Sequence, residues 1–592
     1  MILQAKTTSS ADRLACLRRE IAAQGLDGLI LTTADAFQNE EAPAHDRTLA
    51  WLTGFSGSLA HALVLPDRAI FLVDGRYRIQ AARQVEAALW DFGHLHSEPL
   101  AQWLKGQRGK IGFDPMCWTV NQIEQMQTEA RGVSLHAFAD PFAAIWQDRP
   151  PPPCAPLRAL PILDTGRSTE DKLRHLQRET IALQVDLWVE TRPDNIAWMF
   201  NVRGADIAMN PLPLSFAVFP SYGPAQWFID PAKLTIPLPE NVQTHPRDHF
   251  LSWLQTHTKG QRAAFDPTFT PEAVRLCLTK AGALVIPSRG LITVEKSRKS
   301  KAELVGFRSA HLADAVALAR FGHWLSMELP AREATNQPID EAEAANMLEQ
   351  FRKACPAYQE PSFTTIAASG ENAALCHYAP PAQGSAPLLS SQIFLCDSGG
   401  QYDFGTTDIT RTFAFGPVPR DIRPIATAVL QGFIALCAAR FPEGTMPHQL
   451  DALARAPLWA LGLDYDHGTG HSVGHNLLVH EHPHRIGKAA NSFGLMAGHV
   501  LTIEPGYYEE GHWGIRIENQ VEVVKTGPGF LGFDPMTMAP IDLSLFDLAA
   551  LSRDERDWLD AYHARVCSNV APELSDVVKD WLITATRPVS MS

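Results

Sequence analysis

The segment IFLCDSGGQYDFGTTDITRTFAF carries two aspartates inside otherwise apolar or β-branched runs, and any fold of this chain has to accommodate them. Two β-patterned runs around a glycine-containing loop predict a β-hairpin. Reflection about a midpoint between residues 402 and 403 sets Asp397 directly opposite Asp408. Like charges so placed destabilise a sheet, and burial adds to the cost by raising their pKa values. The pair therefore predicts a positive charge between the two strands.

A second acidic pair follows in HVLTIEPGYYEEGHWGIRIENQVEVV. Its two strand-like runs flank a turn region centred on Gly511, and reflection about that glycine takes Glu504 to Glu518. Asp403, in the loop of the first hairpin, is expected to be solvated, but two central acidic pairs in apolar sequence are hard to explain as solvated faces. Four inward carboxylates need more than one cationic charge.

A histidine-rich stretch, HGTGHSVGHNLLVHEHPH, covers residues 467–484. Histidines at 467, 471 and 475 have the spacing of a helical zinc site, but glycines interrupt this span, and each glycine costs a helix interior roughly 1 kcal/mol relative to alanine. A tight loop close to a ligand suits these glycines better, so the histidines are expected to act singly. One imidazole and four carboxylates form a hard ligand set that suits Mn²⁺ or similar divalent ions. Two metals about 3.5 to 4 Å apart, with bridging carboxylates and a bridging hydroxide, are the expected hydrolytic arrangement.

Length and composition indicate a multidomain globular protein. With 592 residues, 45% hydrophobic and 20% charged, the chain is expected to form two to four domains. The formal net charge of −14 argues against nucleic acid as a partner. Nine cysteines without a CxxC pair fit a reducing cytoplasm better than a disulfide framework. We predict no export signal and no membrane span, because no stretch of about 18 uncharged apolar residues occurs.

The order of predicted elements repeats in the first half of the chain. A helix, a strand, a short helix and two strands are predicted in LACLRREIAAQ, DGLILTT, RTLAWLTGFSGS, HALVLP and AIFLVDGR. The same order returns in EDKLRHLQRETIAL, VDLWVET, DNIAWMFNVRG, LSFAVFP and AQWFID. This predicts two related N-terminal α/β domains, although any two α/β domains look alike at this level of detail.

Two features mark the limits of the predicted domains. Four prolines at residues 150–153 predict a stiff linker, and Ser300 with Glu303 forms a capping box that opens a long amphipathic helix to about residue 328. The predicted divisions are α/β domains at 1–155 and 156–296, a catalytic domain at 297–527 and an extension at 528–592.

The series Asp397, Asp408, His471, Glu504 and Glu518 resembles the metal-ligand signature of the pita-bread metallopeptidases, which include methionine aminopeptidase, prolidase and aminopeptidase P. The segments WLTGFSGS, VDGRY and IAWMFNVRG, and the stretch from FDPMTMAPID to WLDAYH, are similar to the long, three-domain form of aminopeptidase P. This resemblance covers nearly the whole chain. It implies an α/β and α+β multidomain protein, with two related N-terminal domains, a pita-bread catalytic domain and an extension packed on it. The implied activity is hydrolysis of the N-terminal Xaa-Pro bond of peptides through a hydroxide that bridges two metals.

The resemblance also implies a role for each ligand. Asp397 would chelate one Mn²⁺, and His471 with Glu504 would bind the other. Asp408 and Glu518 would bridge both ions. Glu504 is in addition the expected proton shuttle to the proline nitrogen.

Three histidines are the implied catalytic partners of the metals. His377 would steady the scissile peptide and the tetrahedral intermediate, His467 would lie beside the substrate, and His480 would hydrogen-bond the carbonyl near the proline. Tyr508 and Arg516, beside the two glutamates, match positions of an outer hydrogen-bonded shell.

The implied substrates are peptides with proline at position two, and similar cytosolic enzymes suggest a homodimer. The chain departs from the long forms at Phe37 and Glu41, where those forms tend to carry a histidine and a tyrosine.

Two alternatives stay open at this stage. A prolidase would cleave only Xaa-Pro dipeptides, but the two additional N-terminal domains and the long C-terminal extension argue against it. A metal-free pita-bread module that binds peptides or proteins, or a creatinase-like hydrolase, would be expected to lack some of the five ligands.

Overall fold

The computed structural model describes residues 9–589. Within this range the chain divides into two compact units. The first contains the chain up to Leu160 together with Arg167–Ile292, and the second contains Pro161–Gly166 together with the chain from Thr293 onward. All the predicted metal ligands and catalytic residues lie in the second unit.

The first unit begins with a six-stranded mixed sheet. Its strand order is β4-β3-β2-β1-β5-β6; β2 runs antiparallel to both of its neighbours, β1 and β3, and the other neighbouring pairs are parallel. Alternate residues of β1 point to opposite faces, so Leu29 packs with Leu17 of α1, while Ile30 packs with Ile123 of α5. The elements are α1 Ser10–Ala23, β1 Gly28–Thr32, α2 Thr48–Thr53, β2 Ala60–Val64, β3 Ala69–Val73, α3 Arg78–Gln84, β4 Asp91–His94, α4 Leu100–Leu104, β5 Gly109–Phe113, α5 Val120–Glu129 and β6 Val133–Ala137.

A second six-stranded sheet repeats this topology. Its order is β12-β11-β10-β8-β13-β14, and each neighbouring pair has the same parallel or antiparallel sense as its counterpart in the first sheet. The predicted duplication is therefore confirmed. The chain here forms β7 Arg158–Ala159, α6 Ile162–Thr165, α7 Thr169–Ala182, β8 Leu187–Glu190, α8 Pro193–Phe200, β9 Val202–Arg203, β10 Phe216–Pro220, β11 Ala225–Phe228, β12 Val242–His245, α9 Phe250–His257, β13 Arg262–Phe265, α10 Glu272–Ala281, β14 Leu284–Pro287 and α11 Leu291–Ser297. Of these elements, α6 and the part of α11 from Thr293 onward belong to the second unit.

The second unit opens with the long helix that the capping box predicts. The Glu303 amide donates to the Ser300 hydroxyl at 3.1 Å, and the Ser300 amide donates to the Glu303 carboxylate at 2.7 Å. The elements that follow are α12 Lys301–Ala334, α13 Glu341–Lys353, β15 Tyr358–Pro361, β16 Ile366–Ser369, β17 Ile393–Ser398, β18 Gly400–Tyr402, β19 Gly405–Thr406, β20 Ile409–Ala414, α14 Ile422–Cys437, β21 Arg440–Pro442, α15 Asp451–Ala460, β22 Gly470–Ser472, β23 Glu481–Ile486, β24 Val500–Ile503, β25 Gly506–Glu509, β26 Trp513–Arg516, β27 Asn519–Gly527, β28 Phe530–Pro535, α16 Arg553–Val570 and α17 Asp576–Ala585.

Antiparallel sheets carry the site. The largest has the order β21-β28-β27-β24-β22-β23, two smaller sheets have the orders β16-β17-β20 and β15-β18-β19, and β25 pairs with β26 as a ribbon. Apolar side chains of α14 and α16 pack against the strands in one core that includes Phe433, Ile503, Val521 and Leu559, each fully buried. Removing such side chains from water is the main favourable term that fixes these strands.

The first acidic hairpin has a register different from the predicted one. Asp397 pairs with Thr410, and the tip pairs Tyr402 with Gly405, so the turn residues are Asp403 and Phe404. The predicted midpoint was therefore one residue too early, and the direct pairing of Asp397 with Asp408 was wrong. Asp408 lies two residues from Thr410, which makes the two aspartates diagonal neighbours on the same face.

The second acidic hairpin has the predicted register. On the side of the glutamates away from the turn, Ile503 pairs with Asn519. On the side toward the turn, Gly506 pairs with Arg516. This register is symmetric about Gly511 and sets Glu504 opposite Glu518.

The sequence predicts that no helix of the chain spans a membrane. Among residues 9–589, no helix combines the length and the apolar character that crossing a membrane requires.

Candidate metal centre

Three of the predicted ligands surround one ion-sized space. A ligand atom from each of Asp408, His471 and Glu518 lies within 4.8 Å of the other two, and all three residues are buried. Glu504 borders the same space, because its Oε1 lies 3.6 Å from His471 Nε2. The two hairpins and the short strand β22 thus bring together residues that are far apart in sequence.

His471 presents one particular nitrogen to the carboxylates. Its Nδ1 lies 3.0 Å from the Ser472 carbonyl oxygen, which can only accept, so Nδ1 carries the proton. Nε2 faces Asp408 Oδ2 at 3.4 Å and the Glu504 carboxylate. A histidine whose distal N–H is held by a backbone carbonyl is typical of metal ligation, because the carbonyl fixes the tautomer and the ring orientation.

Two buried carboxylate oxygens of the proposed ligands lack a hydrogen-bond partner. Asp397 Oδ2 accepts from Arg516 Nη2 at 2.6 Å and Glu518 Oε2 accepts from Thr410 Oγ1 at 2.7 Å. The second oxygen of each carboxylate, Asp397 Oδ1 and Glu518 Oε1, is buried without a partner. Because a buried charged oxygen without a partner is costly, these two atoms fit a site that binds cations. Carboxylate oxygens and one imidazole nitrogen also match the donor set expected for hard divalent ions.

Burial and mutual repulsion raise the pKa values of three of the acidic residues. Burial, followed by the charges of Asp397 and Glu504, raises the pKa of Asp408 well above its usual value. Burial, followed by Asp408 and Glu504, does the same to the pKa of Glu518. Burial raises the pKa of Glu504 to about 7, although Arg516 opposes the shift. Divalent ions would remove this repulsion, because an opposite charge favours the ionised carboxylates.

A hydrogen-bonded chain connects Asp397 to the rim of the site. Arg516 donates through Nη2 to Asp397 and through Nη1 to the Tyr508 hydroxyl at 2.5 Å. The Tyr508 hydroxyl lies 2.9 Å from His467 Nε2. Because His467 Nδ1 is held by the Gly468 carbonyl oxygen at 2.7 Å, Nε2 accepts the tyrosine proton. The predicted outer shell of Tyr508 and Arg516 is thus tied to one of the three predicted histidines.

The other two predicted histidines lie at different edges of the site. The ring of His480 is half-buried, and its centroid lies 4.3 Å from that of His471 in an edge-to-face arrangement. His377 is also half-buried, in a turn that follows the 3₁₀ helix Gly370–Ala374. The carbonyl of the residue before it, Cys376, lies 3.5 Å from Arg516 Nη2.

Thr410 is a site residue that the sequence prediction missed. It pairs with Asp397, donates to Glu518, and accepts from Arg516 Nε at 3.2 Å. It therefore joins the two acidic hairpins through one hydroxyl. A correct register for the first hairpin would have identified it, since it is the residue opposite Asp397.

Four family profiles match successive parts of the chain. Metallopeptidase family M24 matches residues 306–525, and the C-terminal region of peptidase M24 matches residues 529–589. The creatinase/prolidase N-terminal domain matches twice, at residues 13–145 and 148–303.

Several proteins are similar to the chain over nearly its full length. Xaa-Pro aminopeptidase app-1 of Caenorhabditis elegans is 36% identical over 95% of this chain and 95% of its own length. Aminopeptidase P1 of Arabidopsis thaliana is 32% identical over 96% of this chain and 97% of its own. A crystal structure of X-prolyl aminopeptidase from C. elegans, described as a cytosolic enzyme with a di-nuclear active site, superposes with a TM-score of 0.92 at 33% identity, covering 98% of this chain and 100% of that one.

Proposed function

The chain belongs to metallopeptidase family M24 and, within it, to the Xaa-Pro aminopeptidases, and from this premise we propose how its own residues carry the reaction. The enzyme hydrolyses the bond between the first residue of a peptide and a proline at position two. The observation that carries this conclusion is the convergence of buried Asp408, His471 and Glu518 on one ion-sized space, in a chain that aligns with such aminopeptidases from end to end.

The proposed ligands are those of the predicted series. Asp397 would hold one ion, His471 with Glu504 would hold the other, and Asp408 and Glu518 would contribute to both. The partnerless oxygens of Asp397 and Glu518, and the Nε2 atom of His471 that faces Asp408 and Glu504, support this assignment. When bound, divalent ions lower the pKa of water so that hydroxide forms near neutral pH, and they polarise the scissile carbonyl.

The residues around the ligands orient the substrate and move protons. Glu504 is proposed to take the proton of the attacking water and to deliver it to the proline nitrogen, which leaves as a secondary amine. His480 and His377 are proposed to donate hydrogen bonds to the substrate carbonyl and the oxyanion that develops from it. His467 is proposed to lie beside the substrate while accepting from Tyr508, which with Arg516 keeps Asp397 in place.

Proline at position two is compatible with this site for a simple reason. The scissile bond to proline is a tertiary amide without an N–H, so the enzyme needs no acceptor there. An aminopeptidase that holds this N–H would discriminate against proline.

Release of the first amino acid from an Arg-Pro-Pro peptide tests the proposal. We expect release that depends on added divalent ion, with little release from the matched Arg-Ala-Pro peptide. Asp408→Ala and Glu518→Ala should abolish release while the fold, followed by circular dichroism, is retained. Release that persists in both variants would contradict the assignment.

The prolidase alternative predicts a different substrate length. An aminopeptidase of this class cleaves Xaa-Pro-Xaa tripeptides, whereas a prolidase prefers Xaa-Pro dipeptides. The two creatinase/prolidase-type N-terminal domains and the full-length similarity to aminopeptidases favour the tripeptide. Comparing kcat/KM for the tripeptide and the dipeptide distinguishes the two.

Metal identity, location and assembly form a further part of the proposal. We propose Mn²⁺ in both positions, since the ligand set is oxygen-rich. We also propose that the protein is cytoplasmic, because its C. elegans structural relative is described as cytosolic.

We propose a homodimer, for which exposed Leu453, Trp459 and Leu461 at α15 provide apolar surface. Domain limits at residues 155/156, 296/297 and 527/528 are also proposed. Elemental analysis, light scattering and limited proteolysis respectively test the metal, the assembly and these limits.

A further inference from the structure

A buried ion pair that the reaction does not use lies beside the first acidic hairpin. Arg352 of α13 donates through Nε to Asp314 Oδ1 at 2.6 Å and through Nη2 to Oδ2 at 3.2 Å. The side chains of both residues are at most 1% exposed. Such a pair is weak evidence for stability, because the cost of removing two charges from water can exceed their attraction. A role other than stability has to be considered for it.

Each partner of this pair reaches the neighbour of a proposed metal ligand. Arg352 Nη2 donates to the Ser398 hydroxyl at 3.0 Å, and Ser398 directly follows Asp397. The Thr407 hydroxyl donates to Asp314 Oδ2 at 2.6 Å, and Thr407 directly precedes Asp408. Ser398 and Asp397 are successive residues of β17, so their side chains point to opposite faces, and Arg352 contacts this strand from the face opposite the carboxylate. Thr407 and Asp408 form the short connection between β19 and β20, and Asp314 contacts this connection through the Thr407 hydroxyl.

The backbone around these two contacts is closely packed. The Thr407 hydroxyl also accepts from the Gly400 amide at 2.9 Å, and the Ser362 hydroxyl donates to the Thr407 carbonyl at 2.8 Å. A Cβ atom added at Gly399 would lie 1.9 Å from the Thr407 carbonyl oxygen, so the two segments cross in direct backbone contact. A change in the ion pair is therefore transmitted to the segments that carry the aspartates.

We propose that Asp314 and Arg352 are positioning residues that set the separation of Asp397 and Asp408 and thereby the affinity of the site for divalent ions. The inference rests on the proposed function, because it takes these two aspartates as ligands. Outer hydrogen-bond partners of metal ligands typically alter metal affinity 10- to 100-fold when removed. The pair here acts one residue further out, through the backbone between Ser398 and Asp397 and between Thr407 and Asp408.

Titration of the metal-free protein with Mn²⁺, followed by calorimetry, tests this inference. Thr407→Val removes the hydroxyl that joins Asp314 to the connection between β19 and β20 while keeping the side-chain volume, and we expect Mn²⁺ to bind about 10- to 100-fold more weakly. Thr407→Ser keeps the hydroxyl and should bind Mn²⁺ within a few-fold of the wild type. Asp314→Asn, which retains the shape of the side chain and removes its charge, should weaken binding like Thr407→Val.

A matched control separates positioning from general loss of stability. Lys233 and Asp206 form an equally buried ion pair, 2.5 Å apart, in the first unit, which holds none of the proposed ligands. Asp206→Asn should lower Tm and leave Mn²⁺ affinity unchanged. Unchanged affinity in Thr407→Val and Asp314→Asn, or an equal loss in Asp206→Asn, overturns the inference. A wild-type chain that takes up no Mn²⁺ overturns the proposed function and this inference with it, so the two failures are distinguishable.

Discussion

Replacing Arg516 by methionine tests whether the positive charge of this residue stabilises the buried carboxylates when no metal is bound. Arg516 is 3% exposed and donates to Asp397, Tyr508 and Thr410. Burial opposes its charge, but Tyr508 and Asp397 raise its pKa well above the usual value, so it is a cation. Methionine retains much of the apolar stem and removes the charge and every donor. Asp397 then remains buried without its cation.

The magnitude follows from the burial of the pair. Removing one partner of a buried ion pair costs about 3–5 kcal/mol. The unit that contains the pair has roughly 300 residues, and its unfolding entropy is therefore about 0.6 kcal/mol/K. We expect the Tm of this unit to fall by about 5–8 °C in metal-free Arg516→Met. Bound divalent ions supply positive charge to Asp397, so the fall should be smaller when Mn²⁺ is present.

Differential scanning calorimetry of the wild type and the variant, each with chelator and with excess Mn²⁺, measures both effects. Arg516→Lys is the matched control, because lysine keeps the charge and loses the planar fork that serves three acceptors. Its Tm should lie between those of the wild type and Arg516→Met. Equal Tm values for the wild type and Arg516→Met in chelator would refute the argument that this guanidinium neutralises the acidic cluster.

Three further predictions concern single residues. His480→Ala should lower kcat by about 10²–10³-fold with unchanged metal content, because it removes a hydrogen-bond donor to the reacting carbonyl; steady-state kinetics with elemental analysis checks this, and an equal loss of metal would contradict it. Burial lowers the pKa of His563 to about 4, so its contribution to stability is complete above about pH 6.5 and is lost as the pH falls toward about 4. Between about pH 7.5 and about pH 5.5 that loss is about 1.3 kcal/mol, and His563→Gln, which keeps an acceptor for the Ile541 amide, should reduce the acid-induced loss of unfolding free energy by this amount, as measured by denaturant unfolding at the two pH values. Trp459→Arg should convert a dimer to a monomer in light scattering, and an unchanged mass would exclude this surface as the interface.

Sequence patterns could predict the parts of the fold that depend on short spans. The duplication was visible because each copy places a helix and its strands in the same order, and the topologies of the two sheets agree. The register about Gly511 was predictable because the strand pairs on both sides of the two glutamates keep the same symmetry about that glycine. The four acids among the proposed ligands could be found because acids inside apolar strands need a cation, whereas His471 was singled out among its neighbouring histidines by the family resemblance.

The first hairpin shows why the rest could not be predicted. The predicted midpoint lies one residue early because it pairs the two aspartates with each other, whereas the turn is formed by Asp403 and Phe404. The contacts of Asp314 with Arg352 and Thr407 join residues 38 and 93 positions apart, and no local pattern specifies such pairs. They depend on how α12 and α13 pack against the strands.

The most direct test of the account is the metal content of the purified chain, measured together with its peptidase activity. We expect two divalent ions per chain after dialysis against Mn²⁺, loss of both ions and of Arg-Pro-Pro cleavage in chelator, and recovery of both when Mn²⁺ is restored. A chain that holds no divalent ion, and cleaves the peptide equally well with and without chelator, would contradict the claim that the buried carboxylates form a metal centre.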